Sequence, residues 1–217
     1  MFENRLRVQE RIRDMTELME EIRKRIVFFD GGTGSLLQAN GLKPGELPET
    51  WNILHPEIVT KLHYDYLEAG ADIIKTNTFG ANGLKFNDSS EYGLDGIVTA
   101  AMENAKNAVG KAGKKGFIAL DIGPTGKLLG DLGFEEAYGL FSDVVKIGAR
   151  EGADLVLIET MSDSYEVKAA VLAAKENCDL PVFATMIFDS RGKLLTGGTV
   201  ESTVALLEGL GVDALGI

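Results

Sequence analysis

The sequence predicts an α/β protein with a parallel β-sheet. Short apolar segments rich in β-branched residues alternate with longer segments whose apolar residues recur every three or four positions, the pattern of strands and amphipathic helices. A glycine, an acid two residues later and an apolar strand also recur together, at residues 70–74, 152–156 and 211–215. Glycine after a helix adopts the left-handed conformation at little cost, so this repeat indicates one reused helix-to-strand turn. Such alternation selects parallel strands with right-handed crossovers.

Composition narrows the class of partner. The chain of 217 residues is 45% hydrophobic and 25% charged, which is typical of a globular domain with a sizeable core. Its net charge of −11 argues against binding to nucleic acid or to an anionic membrane surface, so we expect a small-molecule ligand. No apolar run approaches the roughly 18 to 20 residues of a membrane helix. The single cysteine, Cys178, excludes an internal disulfide and favours a cytoplasmic location.

The sequence divides into an N-terminal helix over residues 1–24 and an α/β domain over 25–217. The helix is amphipathic, because apolar residues spaced by three or four alternate with charges of both signs; these residues are Val8, Ile12, Met15, Leu18 and Ile22. We expect it to pack on the domain.

The first strand is predicted at residues 26–29, where an apolar run precedes Asp30 and several glycines. Such a run is typical of a fully buried strand that presents an acid at its carboxyl end. The later strands are predicted within 71–80 and at 117–120, 155–158, 182–187 and 213–217. Helices are predicted at 35–39, 56–69, 95–109, 135–150, 164–176 and 201–210, and a surface loop at 44–51.

Six strand–helix units without a dinucleotide-binding motif favour a (β/α)8 TIM barrel over a doubly wound sheet. A closed barrel has eight strands and ~250 residues, so we expect an incomplete barrel with about six of its eight units. Open strand edges promote association. The chain is therefore interpreted either as a fragment or as a protein in which something else covers the gap.

Polar residues follow the predicted strands, and parallel strands bring their carboxyl ends to one rim. The candidate site residues there are Asp30, Gly31, Thr76, Asn77, Thr78, Asp121, Glu159 and Thr160. Asp30 and Glu159 suit an acid/base pair or the binding of a substrate ammonium. Alternatively, such acids cap the helices that follow.

Two other ligand classes receive little support. The glycines at 31–34 and 123–126 suit a phosphorylated substrate, but neither segment has a P-loop or dinucleotide pattern. His55, His63 and Cys178 are too scattered to form a zinc site. We therefore expect no metal ligands in this chain.

Several segments together resemble the homocysteine S-methyltransferase family over residues 25–217. They are Asp-Gly-Gly-Thr-Gly at 30–34, Lys-Thr-Asn-Thr-Phe-Gly-Ala-Asn at 75–82, Asp-Ile-Gly-Pro-Thr-Gly at 121–126, Glu-Thr at 159–160 and Leu-Thr-Gly-Gly-Thr at 195–199. The likeness is greatest to the homocysteine-binding module of the cobalamin-dependent members that make methionine. The resemblance implies a (β/α)8 barrel in which Asp30 and Glu159 match the acids of the homocysteine site. An acid like Glu159 would take the ammonium, and Thr76, Asn77 and Thr78 would shape the pocket.

The same resemblance implies cofactors and partner modules. In the family, three cysteine thiolates hold a zinc ion that binds the homocysteine sulfur, and the thiolate then attacks the methyl group of methylcobalamin. Cobalamin-binding and folate-binding modules of the parent enzyme would be the partners. The first of those cysteines follows a Gly-Ile-Asn run, and this sequence ends at Gly216-Ile217. The ligands are expected beyond Ile217, so this chain alone should lack zinc-dependent turnover.

Three alternatives stay open at this point. The first is a betaine- or S-methylmethionine-dependent enzyme of the same family. The second is a non-catalytic partial barrel that self-associates through its open edges, and the third is a barrel enzyme for a phosphorylated substrate.

Overall fold

A computed structural model describes residues 17–87, 89–127 and 131–217. Five strands form one sheet in the order β1-β2-β3-β4-β5, and every neighbouring pair is parallel. They are β1 Ile73–Lys75, β2 Phe117–Ile122, β3 Leu155–Met161, β4 Val182–Met186 and β5 Ala214–Gly216. The predicted α/β architecture with a parallel sheet is confirmed, whereas a closed barrel is not formed by the described residues.

Helices precede, separate and follow these strands. They are α1 (described over 17–24), α2 Thr33–Ala39, α3 Trp51–Leu54, α4 Pro56–Ala69, α5 Leu94–Ala112, α6 Phe134–Glu151, α7 Ser164–Asn177 and α8 Val200–Gly209. The loop predicted at 44–51 contains a 3-10 turn, Pro48–Thr50, that leads directly into α3. Within the described ranges, no helix has the length and apolarity needed to cross a membrane.

The two faces of the sheet bury different partners because successive strand residues point to opposite sides. One face carries Ile74, Ile118, Leu120, Val156, Ile158 and Val182, which pack with the flanking helices in the main hydrophobic core. The other, called here the inner face, carries Ile73, Phe117, Ala119, Leu155, Leu157 and Phe183, which pack against Leu18 of α1. The described part of the N-terminal helix thus covers the inner face. Val8, Ile12 and Met15 lie outside the described residues.

The prediction of a fully buried strand at residues 26–29 is wrong. A single parallel bridge joins Phe29 to Ile73, and 76% of Ile26 and 59% of Phe28 are exposed. The apolar run indicates a strand, but burial requires neighbours on both sides, and among the described residues this segment pairs with β1 alone. The Phe29 and Phe183 rings lie 6.4 Å apart, so the sheet curves around its inner face.

The repeated glycine–acid turn is confirmed, and the acid has a structural partner. Gly70, Gly152 and Gly211 have φ of 106°, 92° and 71°, the left-handed values expected after a helix. Each aspartate two residues later accepts a hydrogen bond from a backbone N–H of the segment that precedes it in the sheet: Asp72 from Phe28, next to the Phe29 bridge, at 2.9 Å, Asp154 from Ile118 of β2 at 2.7 Å and Asp213 from Val182 of β4 at 2.8 Å. These three residues are called the turn aspartates.

Candidate active site

The inner face becomes charged at the carboxyl ends of the strands. Lys75 lies two residues after Ile73, Asp121 two residues after Ala119 and Glu159 two residues after Leu157. Because alternate residues share a face, these three side chains extend the apolar inner layer with one cation and two acids. Asp30 joins them, since its Oδ2 accepts a 2.9 Å hydrogen bond from the Lys75 N–H. Asp30, Lys75, Asp121 and Glu159 are called the rim cluster.

Lys75 and Glu159 form an ion pair at the centre of this cluster. The Lys75 Nζ lies 3.2 Å from Oε2 and 3.4 Å from Oε1 of Glu159, and 16% and 21% of the two side chains are exposed. Burial alone would lower the pKa of Lys75, but the carboxylates of Asp121, Glu159 and Asp30 together raise it. The ammonium therefore stays charged at neutral pH.

Asp30 and Asp121 are buried acids, each with one oxygen that lacks a hydrogen-bond donor. Oδ1 of each has no partner among the described residues. Burial raises the pKa of Asp30 to about 7, and burial together with the Glu159 carboxylate raises the pKa of Asp121 well above its usual range. With a pKa of about 7, Asp30 is partly protonated at neutral pH. Strongly perturbed acids at a strand end are typical of functional sites.

The acids do not cap helices, so that alternative is wrong. Helix α2 has Gly32 at its N-cap, and α7 is capped by Asp163, whose side chain accepts from two backbone N–H groups. The acids at the strand ends are therefore not explained by helix termination.

Thr76 and Thr78 use their hydroxyls to hold the ends of β1 and β2 together. Thr78 Oγ1 donates to the Asp121 carbonyl at 2.7 Å, and Thr76 Oγ1 accepts from the Asp121 N–H at 3.1 Å. Because the single proton of Thr78 is used, the Thr76 hydroxyl donates in their 2.7 Å contact. These bonds position Asp121, and a direct contact of either threonine with a ligand stays a prediction.

Asn77 ties the rim to the segment before α3. Its Nδ2 donates to the Pro48 carbonyl at 2.8 Å, and its own carbonyl accepts from Asn52 Nδ2 at 2.8 Å. Nδ2 also donates to Asn52 Oδ1 at 3.2 Å, so both of its N–H groups are bonded within the protein, and ligand contact by Asn77 stays a prediction.

Thr160 lies at a distortion of β3. With φ of 63° it is the one non-glycine residue of positive φ in the described ranges, a costly conformation for a β-branched residue. The register between β3 and β4 shifts between Ile158 and Met161, and the Thr160 N–H donates to Thr185 Oγ1 at 3.2 Å. Strain beside Glu159 is of the kind that clusters at functional sites.

Gly31 is required by a close contact. A Cβ on Gly31 would lie 2.7 Å from the Tyr66 hydroxyl oxygen, which donates to the Gly32 carbonyl at 3.2 Å. The Tyr66 ring therefore explains this glycine without a bound phosphate, while its predicted role in substrate binding stays untested.

Three charged residues near the site were missed in the sequence. Lys75 lies in a strand of three residues, which is too short to display an alternating pattern in the sequence. No sequence pattern marks Glu49 or Glu166 as a site residue, because each forms hydrogen bonds with a loop that is distant in sequence. The buried Glu49 accepts from the Gly80 N–H at 2.7 Å. Glu166 accepts from the Thr125 N–H and hydroxyl at 2.8 and 2.6 Å, which anchors the loop after β2.

The residues present do not fit the zinc site that the resemblance implies. Cys178 lies at the end of α7, where its Sγ donates to the Ala174 carbonyl at 3.3 Å. His63 is fully buried in α4, and the His55 ring contacts Trp51 at 4.4 Å. The described residues contain no group of three His, Cys, Asp or Glu that suits a metal ion. One cysteine cannot supply three thiolates.

Known proteins provide an independent comparison. The family model described as homocysteine S-methyltransferase matches residues 27–217. Methionine synthase of Mycobacterium tuberculosis (strain ATCC 25618 / H37Rv) is 30% identical over 93% of this chain and 18% of its own length. Methionine synthase of Mycobacterium leprae (strain TN) is 29% identical with the same coverage. The chain thus spans about a fifth of the curated relatives it matches.

Solved structures show the same fold. The metallated form of the homocysteine methyltransferase MmuM from Escherichia coli superposes with a TM-score of 0.81 at 22% identity, covering 91% of this chain and 76% of that one. Its oxidized form gives a TM-score of 0.80, also at 22% identity, over 90% of this chain and 74% of that one. Because the family model matches residues 27–217, this chain belongs to the homocysteine S-methyltransferase family, whose members are methyltransferases.

Proposed function

We propose that this chain is the homocysteine-binding part of a methyltransferase of the methionine synthase type, an enzyme that converts homocysteine to methionine. The rim cluster is the observation that carries the proposal. It gathers three carboxyl groups at the carboxyl ends of parallel strands, where α/β proteins bind their ligands. Two of those groups have an oxygen without a donor among the described residues, so an incoming ammonium meets acids that the protein has left unsatisfied.

The roles within the site follow from exposure. Glu159 is the more accessible acid and would bind the substrate ammonium, with the buried carboxyl groups of Asp30 and Asp121 behind it. Gly31, Thr76, Asn77, Thr78 and Thr160 would complete the pocket, mostly by positioning these acids. The α/β domain over 25–217 would hold the whole site, and the N-terminal helix covers the apolar inner face of its sheet.

We extend the proposal to the architecture: the sheet is part of a (β/α)8 barrel, of which this chain supplies about six units. The parallel strand order supports this, as does the curvature that brings Phe29 to Phe183. The TM-scores with MmuM support it as well.

Zinc and the methyl donor are a separate part of the proposal. In the family, zinc activates the homocysteine thiol, but the residues of this chain do not fit that ion. We therefore propose that the chain alone has no zinc-dependent turnover and that thiolate ligands come from polypeptide outside this sequence. The match to methionine synthases favours methylcobalamin, carried on other modules that also bind folate, over betaine or S-methylmethionine. The single cysteine favours a cytoplasmic location.

Calorimetric titration of the full chain with L-homocysteine under reducing conditions tests this function. We expect binding in the wild type and an affinity weaker by about 1 to 3 kcal/mol in Glu159→Gln and Asp30→Asn, the usual cost of removing a charged partner. Asp65→Asn is the matched control, because Asp65 is an exposed acid of α4 that pairs with Lys61. Wild-type affinity in both site variants would refute the assignment. Methyl transfer by the chain with zinc and any of the three donors would refute its inactivity.

A second candidate is a module that self-associates through its open sheet edges. Exposed apolar side chains at those edges favour it, since 43% of Leu215 and 90% of Ile217 are exposed at the β5 edge, as are Ile26 and Phe28 at the edge next to β1. Light scattering over a range of concentrations tests this candidate, which requires an oligomer that grows with concentration. A monomer throughout that range would exclude it.

A further inference from the structure

The Lys75–Glu159 ion pair carries the same two charges as the backbone of an α-amino acid. Its contacts of 3.2 and 3.4 Å are longer than the ~2.7 to 2.9 Å of a tight charge-assisted hydrogen bond. Both side chains are partly exposed, whereas Asp30 and Asp121 beside them are buried. The pair is thus both reachable and loosely held.

The charges around the pair favour a zwitterion over a simple cation. Asp30 and Asp121 face Lys75, and Glu49 acts on Asp121. When Asp30 and Asp121 hold protons, Lys75 and Glu159 are the charged pair of the rim cluster. A ligand that presents only an ammonium would displace Lys75 from Glu159 and leave two cations facing each other. A ligand that presents an ammonium and a carboxylate together would give each side chain a new partner.

We propose that Lys75 binds the α-carboxylate of the amino acid ligand while Glu159 binds its ammonium, so that the ligand replaces one internal ion pair with two. Lys75 is then a specificity-determining residue that selects amino acids over simple amines. This inference rests on the proposed function and adds a residue to that site.

The test compares three thiols that differ only in their charged groups. L-homocysteine carries both charges, 3-aminopropane-1-thiol lacks the carboxylate, and 4-sulfanylbutanoate lacks the ammonium. Calorimetry on the full wild-type chain should show a preference of about tenfold or more for homocysteine over the aminothiol, the effect of one hydrogen-bonded charge pair. In Lys75→Met, the affinity for homocysteine should fall by about tenfold, while the aminothiol should bind at least as tightly as it binds the wild type.

Two further variants keep the result interpretable. Lys75→Arg retains the cation and should keep the preference for homocysteine, even if Lys75→Met unfolds. Lys61→Met removes an exposed lysine of α4 and should change nothing. An unchanged preference in Lys75→Met, or its loss in Lys75→Arg with the fold intact, would overturn the role of Lys75 and leave the proposed function standing. Tighter homocysteine binding by Lys75→Met would mean that Lys75 competes with the ligand, which also overturns the inference. Failure of the wild type to bind homocysteine would overturn both.

Discussion

Aspartates lie at both ends of the same parallel sheet, and the two ends differ in the hydrogen bonds that these carboxyl groups accept. At the amino end, the turn aspartates Asp72, Asp154 and Asp213 accept hydrogen bonds from the backbone of the segment that precedes each in the sheet. At the carboxyl end, Asp30 and Asp121 each keep one oxygen without a donor among the described residues. The residue type is the same, so the difference lies in the individual carboxylate oxygens: Asp30 has one main-chain donor, the Lys75 N–H, on Oδ2, but Oδ1 of Asp30 and Oδ1 of Asp121 have none within the described ranges. A carboxylate oxygen with a donor stabilises the fold, whereas a buried carboxylate oxygen without one has a cost that a ligand or a proton can offset.

The largest expected difference between the two ends is in the pH dependence of stability. Folded Asp30 keeps its proton up to about pH 7, against an ordinary pKa of 3.8, so the native state binds more protons than the unfolded state between these values. The contribution of Asp30 to stability should therefore fall as pH rises from 4 to 7, by at most about 4 kcal/mol. Asp30→Asn should remove this contribution and leave only the part that comes from Asp121, whose pKa is also raised. Urea denaturation at several pH values measures it, with Asp65→Asn as the control; an identical pH profile in Asp30→Asn and wild type would contradict the account.

His63 introduces the opposite pH dependence and has to be removed to isolate the rim cluster. The side chain is fully buried in α4, both ring nitrogens lack a partner among the described residues, and burial lowers its pKa from 6.5 to about 4. The contribution of His63 to stability is then lost as pH falls from 6.5 to 4, by about 3 kcal/mol, because the unfolded histidine binds the proton first. His63→Leu should abolish that loss in acid. His55→Gln, at an exposed histidine, should leave it in place, and equal behaviour of the two variants would show that His63 is not its source.

A smaller effect is expected at the amino end of the sheet. Asp154→Ala should destabilise the protein by about 1 to 3 kcal/mol, because the buried Ile118 N–H loses its acceptor. Asp154→Asn retains a carbonyl oxygen at that position and should recover most of the loss. Thermal and urea unfolding of the two variants measure the difference. If alanine and asparagine were equally destabilising, the carboxylate charge rather than the hydrogen bond would be what matters there.

Much of the fold was predictable because its signals are local. The helix predicted at 56–69 is observed as Pro56–Ala69, since proline suits the first turn and Gly70 ends the helix. Partners distant in sequence were not predictable in this way. The repeat at Asp154 was visible, but its bond to Ile118 spans 36 residues. Lys75 lies in a strand of three residues, too short to display an alternating pattern, and the exposure of residues 26–29 depends on neighbours that an apolar run does not specify.

The central claim is that acids at the carboxyl end of the sheet bind the ligand, while those at the amino end support the fold. Calorimetry with L-homocysteine on Glu159→Gln and Asp154→Asn, at a temperature where both are folded, tests it most directly. We predict that Glu159→Gln loses roughly 5- to 150-fold in affinity, the equivalent of one charged hydrogen bond, and that Asp154→Asn binds as the wild type does. Equal affinities in the two variants, or a loss confined to Asp154→Asn, would contradict the claim.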